Sequence, residues 1–165
     1  MAVKIRPIVL KDAASYRKCW ETVAKERRYI VEFEAPPLSQ VRANWRKSLR
    51  KKTPFLVAVD GKRVVGFAAV YSSDLPSLKR TGNLGMFLLP EYRGLGLGTR
   101  LLAGVLKLSR GRFDSVMLDV FAKNKIARKL YRKMGFVLCG RMKQILQGLA
   151  YGYDDLLIMQ KQISN

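Results

Sequence analysis

Leu84-Gly85-Met86-Phe87-Leu88-Leu89-Pro90-Glu91-Tyr92-Arg93-Gly94-Leu95-Gly96-Leu97-Gly98-Thr99 is the segment on which the architecture turns. A run that reads as a strand, about Gly82 to Leu88, ends at Pro90. Leu101, Leu102, Val105 and Leu106 then recur at helical spacing. Glycines at alternate positions between a strand and a helix let the backbone approach a ligand closely and aim unpaired N–H groups at it, which suits a pyrophosphate. Taken as a pattern alone, the loop also reads as a tight strand-to-helix turn. A dinucleotide fingerprint G-x-G-x-x-G would need glycine where Thr99 stands. Asp119 lies at a plausible distance for a ribose-binding acid, but only one strand–helix unit follows the loop, too little for that fold. No G-x-x-x-x-G-K-S/T occurs, so a P-loop is excluded.

Upstream of this segment, an opening strand Val3 to Ile8 gives way to a helix carrying Tyr16, Cys19, Trp20 and Val23 on one face. Pro36-Pro37 forces a loop, after which Ser39 can cap a second helix with Val41, Trp45 and Leu49 on one side. Phe55 to Val59 and Val64 to Tyr71 flank Asp60-Gly61, a hairpin signal. Downstream come a strand Val116 to Phe121, a helix capped by Asn124 and stopped by Gly135, and two strands around Gly148. The order β-α-α-β-β-β-α-β-α-β-β predicts an α/β fold, a mixed sheet with helices packed on it. No repeat or linker divides the chain, which reads as a single domain over 1–165.

With 165 residues, 48% of them apolar, the chain can bury a core on the order of 70% of its unfolded surface. No apolar run approaches the ~20 residues of a membrane span. Charges in Met1-Ala2-Val3-Lys4-Ile5-Arg6 argue against a signal peptide, so a cytoplasmic protein without a membrane partner is expected. Cys19 and Cys139 read as two buried free thiols. The absence of histidine removes Ser/His and Cys/His triads and any ordinary zinc site, so no metal is expected. Lys plus Arg number 32 against 12 Asp plus Glu, a formal charge of +20. Such an excess attracts polyanions: nucleic acid, a nucleoprotein or an acidic protein. Arg50-Lys51-Lys52 and Arg128, Lys129, Arg132 and Lys133 are the stretches expected to contact nucleic acid without sequence preference. A solvated helix face is the other reading. A homodimer is a further open possibility.

The segment Leu84 to Gly98 resembles the acetyl-CoA signature of the GNAT superfamily of N-acetyltransferases, whose core is Q/R-x-x-G-x-G/A. Leu118-Asp119-Val120, Asn124, Ala127, Leu130-Tyr131 and Gly135-Phe136 are similar to that family's second signature, in the right order and at the right distance. The resemblance covers about Leu84 to Phe136 and implies a GNAT-like fold and acetyl-CoA as acetyl donor. It implies that Met86, Phe87 and Leu88 hydrogen-bond the pantetheine by their backbones. It also implies that Gly94, Leu95, Gly96, Leu97, Gly98 and Thr99, with Arg93 leading in, hold the pyrophosphate. Asn124 would cap its helix and touch the cofactor. An N–H near Phe87 and Leu88 would stabilise the oxyanion, and Tyr131 would protonate the leaving sulfur.

The resemblance implies an amine acceptor, on a protein or a small molecule, and an amine attacks only when neutral. For lysine at pH 7 neutrality costs about 4.6 kcal/mol, against roughly 1 kcal/mol for an N-terminal amine. Thr81 to Leu88 carries no acid of the sort some family members place there. The candidate bases are Asp119, otherwise an acid paired with a nearby cation, and Glu34, otherwise a solvated loop charge. The net positive field lowers an amine's pKa and disfavours polycationic acceptors. Two competing readings are a catalytically silent module of this shape docking on nucleic acid or the ribosome, and an NAD-dependent enzyme.

Overall fold

The computed structural model describes residues 3–164; Met1, Ala2 and Asn165, and with the first two part of the leader reading, lie outside the described residues. The elements run β1 (Lys4–Pro7), α1 (Ala13–Lys25), α2 (Leu38–Arg50), β2 (Phe55–Asp60), β3 (Arg63–Ser72), β4 (Thr81–Leu88), α3 (Leu97–Ser109), β5 (Ser115–Phe121), α4 (Lys125–Lys133), β6 (Val137–Leu149) and β7 (Gly152–Gln162). This is the order expected from the sequence. One sheet carries all seven strands in the order β1-β2-β3-β4-β5-β7-β6. Every neighbouring pair is antiparallel except β4 with β5. No helix among the described residues is long and apolar enough to cross a membrane.

Adjacent residues of a strand face opposite sides, and β2 shows what each side meets. Phe55 packs against Tyr16 and Trp45 of α1 and α2, with ring centroids 6.0 and 5.4 Å away. The next residue, Leu56, lies where a side chain on Gly104 of α3 would stand. The sheet is therefore sandwiched between α1 and α2 on one face and α3 on the other, which is why β2 and β3 are buried almost throughout. On the α1–α2 face the core is aromatic: Phe67 meets Phe87 at 4.5 Å and Tyr16 meets Trp45 at 4.9 Å.

Three local expectations are corrected. Ser39 does not cap α2, which starts one residue earlier at Leu38 behind Pro37, with no side-chain cap. Pro37 has no N–H and a preset φ, so it closes the loop by itself. The last hairpin turns at Ala150-Tyr151, while Gly148 stays inside β6 at φ +71°, facing Phe33. Cys139 is exposed because β6 is the sheet edge. Cys19 is buried as expected, its thiol pushed up to about 12 by desolvation.

Candidate active site

The β4–β5 junction makes the site. The two parallel strands pair only from Thr81–Ser115 to Asn83–Met117, and beyond this they part. Leu89 N–H donates to Val65 C=O at 2.9 Å. In an antiparallel pair the bonding direction alternates, so β4 turns the backbone groups of Leu84, Met86 and Leu88 away from β3, into the opening. Phe87 is the exception to the expected trio. Its backbone pairs with Phe67, and it contributes only a buried side chain on the α1–α2 face.

The opening continues into a cleft of about 670 Å³ bounded by β4, the glycine loop, β5 and α4. Gly94 and Gly96 sit at φ +74° and +76°, conformations that L side chains rarely adopt, with empty space where a Cβ would project. Gly96 precedes the first turn of α3, so the N–H groups of Leu97, Gly98 and Thr99 have no carbonyl within the helix to donate to. The first helical bond is Arg100 N–H to Gly96 C=O at 3.2 Å. Gly98 lies between Leu130, Leu88 and Met86, and its missing side chain is part of the cleft's width. Leu95 points to solvent and Leu97 into the core, so these two contribute backbone alone. An anionic, pyrophosphate-sized group fits this arrangement of free N–H donors at a helix start.

Arg93 leads into the loop and lines the cleft, but its guanidinium is engaged elsewhere. Its Nη1 and Nη2 donate to the Glu26 carboxylate at 2.8 and 2.6 Å, its Nε donates to Leu88 C=O at 3.0 Å, and its guanidinium lies 4.7 Å from the Tyr29 ring centroid. Three partners hold it as a clamp between the end of β4 and the α1–α2 connection, and no free fork remains for phosphate. The pair is only about a quarter exposed. Glu26→Gln should therefore lower stability by about 2 kcal/mol, or ~4–8 °C in Tm, as thermal unfolding followed by circular dichroism will register.

A strap ties the two sides of the opening together. Ala150 N–H donates to Arg27 C=O at 3.0 Å, and Phe33 packs with Leu146, Leu149, Leu156 and Phe121. Behind it, α4 supplies the remaining wall. Asn124 Oδ1 accepts from Ala127 N–H at 3.1 Å, the cap expected from the sequence. Tyr131 lines the cleft, edge-to-face with Phe136, and its hydroxyl has no hydrogen-bond partner among the described residues. Burial pushes its pKa well above the usual phenol range. Lys129 and Lys133 also face the cleft, although their charge reads in the sequence as a nucleic-acid patch. The i, i+4 spacing behind Asn124 is the signal that places them on the cleft side of α4.

Among 12 acids in a chain with 32 cations, only Glu32, Glu34 and Asp119 accept no hydrogen bond or ion pair among the described residues. Asp119 stands in the cleft wall, its carboxyl raised above the ordinary value by desolvation. The expected alternative, an Asp119 ion pair, is absent among the described residues. Glu34 lines neither cleft, because the loop turns it outward. Glu32, two residues earlier and missed in the sequence, does face a cleft. This second cleft, about 470 Å³, lies on the α1–α2 face among Tyr16, Trp20, Trp45, Phe67, Tyr71 and Phe87. It joins the first at Ile30 and Gly85–Phe87. Trp20 Nε1 is the one buried side-chain polar atom without a partner among the described residues.

The sequence model described as the acetyltransferase (GNAT) family matches residues 15–136. The chain is 27% identical over 113 residues to an L-amino acid N-acyltransferase, MnaT, of Escherichia coli, covering 67% of this chain and 64% of that relative. It is 31% identical over 116 residues to an L-methionine sulfoximine/L-methionine sulfone acetyltransferase of Pseudomonas paraeruginosa, covering 67% and 66%. The chain thus spans less than two thirds of either relative's own length. A solved phosphinothricin acetyltransferase from Sinorhizobium meliloti, in complex with AcCoA, superposes with a TM-score of 0.90 at 21% identity over 99% of this chain and 90% of that one.

Proposed function

The chain belongs to the acetyltransferase (GNAT) family, and from that premise we propose that it is one N-acetyltransferase domain that passes the acetyl group of acetyl-CoA directly to a primary amine. The observation that carries this reading is the junction of two clefts at Gly85–Phe87. The donor lies in the cleft of the glycine loop, and the amine arrives from the aromatic cleft on the other face. The E. coli relative named for L-amino acids and the one named for methionine sulfoximine favour a small amine over a protein lysine.

Each step falls to a group of this chain. The free N–H donors of Gly94–Thr99 take the pyrophosphate, and Lys129 and Lys133 add charge at the rim. The N–H groups of Met86 and Leu88 face the point where the carbonyl oxygen gains charge, a contribution of a few kcal/mol in comparable sites. The amine nitrogen bonds the acetyl carbon and the carbon–sulfur bond breaks. Asp119 takes the amine's proton, directly or through water, and Tyr131 gives its own proton to the departing sulfur. Burial suits both: it keeps the phenol protonated and makes the carboxylate a stronger base.

Asp119→Asn tests the base. A carboxyl raised in the folded state adds stability only below its unfolded pKa and loses it as pH rises through the folded value. At neutral pH the ionised Asp119 therefore opposes folding, and the amide should leave Tm equal or higher. The same variant should lower kcat/KM at least about tenfold and abolish the part of its rise with pH that follows ionisation of the carboxyl, leaving the rise that follows deprotonation of the amine. A loss of activity together with a lower Tm would assign Asp119 to structure.

The surplus charge supports a second, additional reading: weak nucleic-acid binding, or an acceptor carried on a nucleoprotein. Arg42, Arg46 and Arg50 stand exposed at four-residue intervals on α2 and pair with no acid among the described residues. Binding of RNA should fall steeply with salt, and failure to retard RNA at low ionic strength would reject it. Arg128 is tied to Ala122 C=O, and Lys51 to Asp74, so neither is free for it.

A further inference from the structure

The aromatic cleft has two chemically different ends. Where it meets the donor cleft the two share Ile30 and Gly85–Phe87, with Trp20 beside Phe87 and Glu32 two residues on from Ile30; none of these is a lysine or arginine. Its two cations, Lys47 and Lys51, stand on and just beyond the last turn of α2, 3.6 and 2.9 Å from the Asp74 carboxylate. Asp74 follows β3, whose last pair, Ser72–Gly82, lies four positions from the pair Ala68–Met86. At ~3.4 Å per residue this separates the cationic end from the reacting end by ~14 Å along the strand. The wall between is aromatic. Two ammonium groups share one exposed carboxylate, so the cluster keeps a positive surplus.

Resting on the acceptor reading of this cleft, we propose that the acceptor is a small primary amine on a flat apolar body with an anionic group at its far end, within the ~14 Å that separates the two ends. The anion lies between Lys47 and Lys51, the body stacks in the aromatic wall, and the amine points past Glu32 to Met86. An α-amino acid carries amine and carboxylate on one carbon. It would leave its carboxylate at the cation-free end, beside Glu32, where the charges repel. A polyamine would bring a second cation against the lysines. A volume of about 470 Å³ suits a small molecule.

The test uses the full chain with saturating acetyl-CoA and follows thiol release with 4-(2-aminoethyl)benzoate, 2-phenylethylamine and L-phenylalanine. The benzoate should show kcat/KM at least tenfold above the other two. Lys47→Gln with Lys51→Gln should bring the benzoate-to-phenylethylamine ratio within twofold of unity, and Lys51→Glu should invert it. Both lysines are exposed, so the variants should keep the wild-type Tm and the wild-type response of Tm to acetyl-CoA. Acetyl-CoA binding with a ratio near one, a ratio indifferent to the lysines, a preference for L-phenylalanine, or no acetylation of any of the three would overturn the inference and leave the donor reading standing. Absence of acetyl-CoA binding would overturn both.

Discussion

Tyr131→Phe should lower kcat at least about tenfold while acetyl-CoA affinity and Tm stay near wild type. The ring is held by the core, edge-to-face with Phe136 at 5.9 Å, and the substitution keeps that contact. Only the hydroxyl is lost, and it has no partner among the described residues, so no intramolecular bond breaks with it. On the proposed mechanism, what disappears is the proton source for the departing sulfur. General acids of this sort contribute ~100 to 10,000-fold. The pKa of Tyr131 is raised by burial, so the phenol is protonated throughout the neutral range, and the variant's deficit should not vary with pH there. An unaltered kcat under conditions where chemistry limits the rate would return Tyr131 to the core and leave the leaving sulfur to water.

Gly96→Val should abolish acetyl-CoA binding, weakening Kd at least about 100-fold, in a protein that still folds. At φ +76° a β-branched side chain is strained by ~1–2 kcal/mol, which predicts a Tm loss of roughly 2–8 °C. The space beside Gly96 is empty of protein, so the added side chain meets no wall and instead projects where the loop would receive a ligand. Gly96→Ala should fall between the two. Equilibrium dialysis with labelled acetyl-CoA separates the loss of binding from the loss of stability. Retained affinity in the valine variant would mean that the loop is only a tight turn.

Local signals carried the fold. Proline at 90, glycine at 96 and 135, asparagine at 124 and the apolar stripe of α3 each act over a few residues, and each ended or began an element near the expected place. What escaped was set by tertiary context. Nothing within three residues of Arg93 reveals that Glu26, 67 positions away, occupies its guanidinium. Alternation along β4 could have removed Phe87 from the backbone donors, but only once β3 was known to be its partner. Glu34 and Glu32 lie in a loop without periodicity, so which one faces a cleft depends on how Phe33 docks on the last hairpin. Cys139 reads as buried from composition and is exposed because β6 pairs on one side only.

Thermal unfolding with and without ligand tests the central claim most directly, since a ligand bound only by the native state raises Tm by mass action. At 100 times its Kd, acetyl-CoA should stabilise the protein by about 2.7 kcal/mol, or ~5–10 °C at this chain length, and NAD at the same concentration should leave the curve in place. Protection by NAD, with no shift from millimolar acetyl-CoA, would contradict the account.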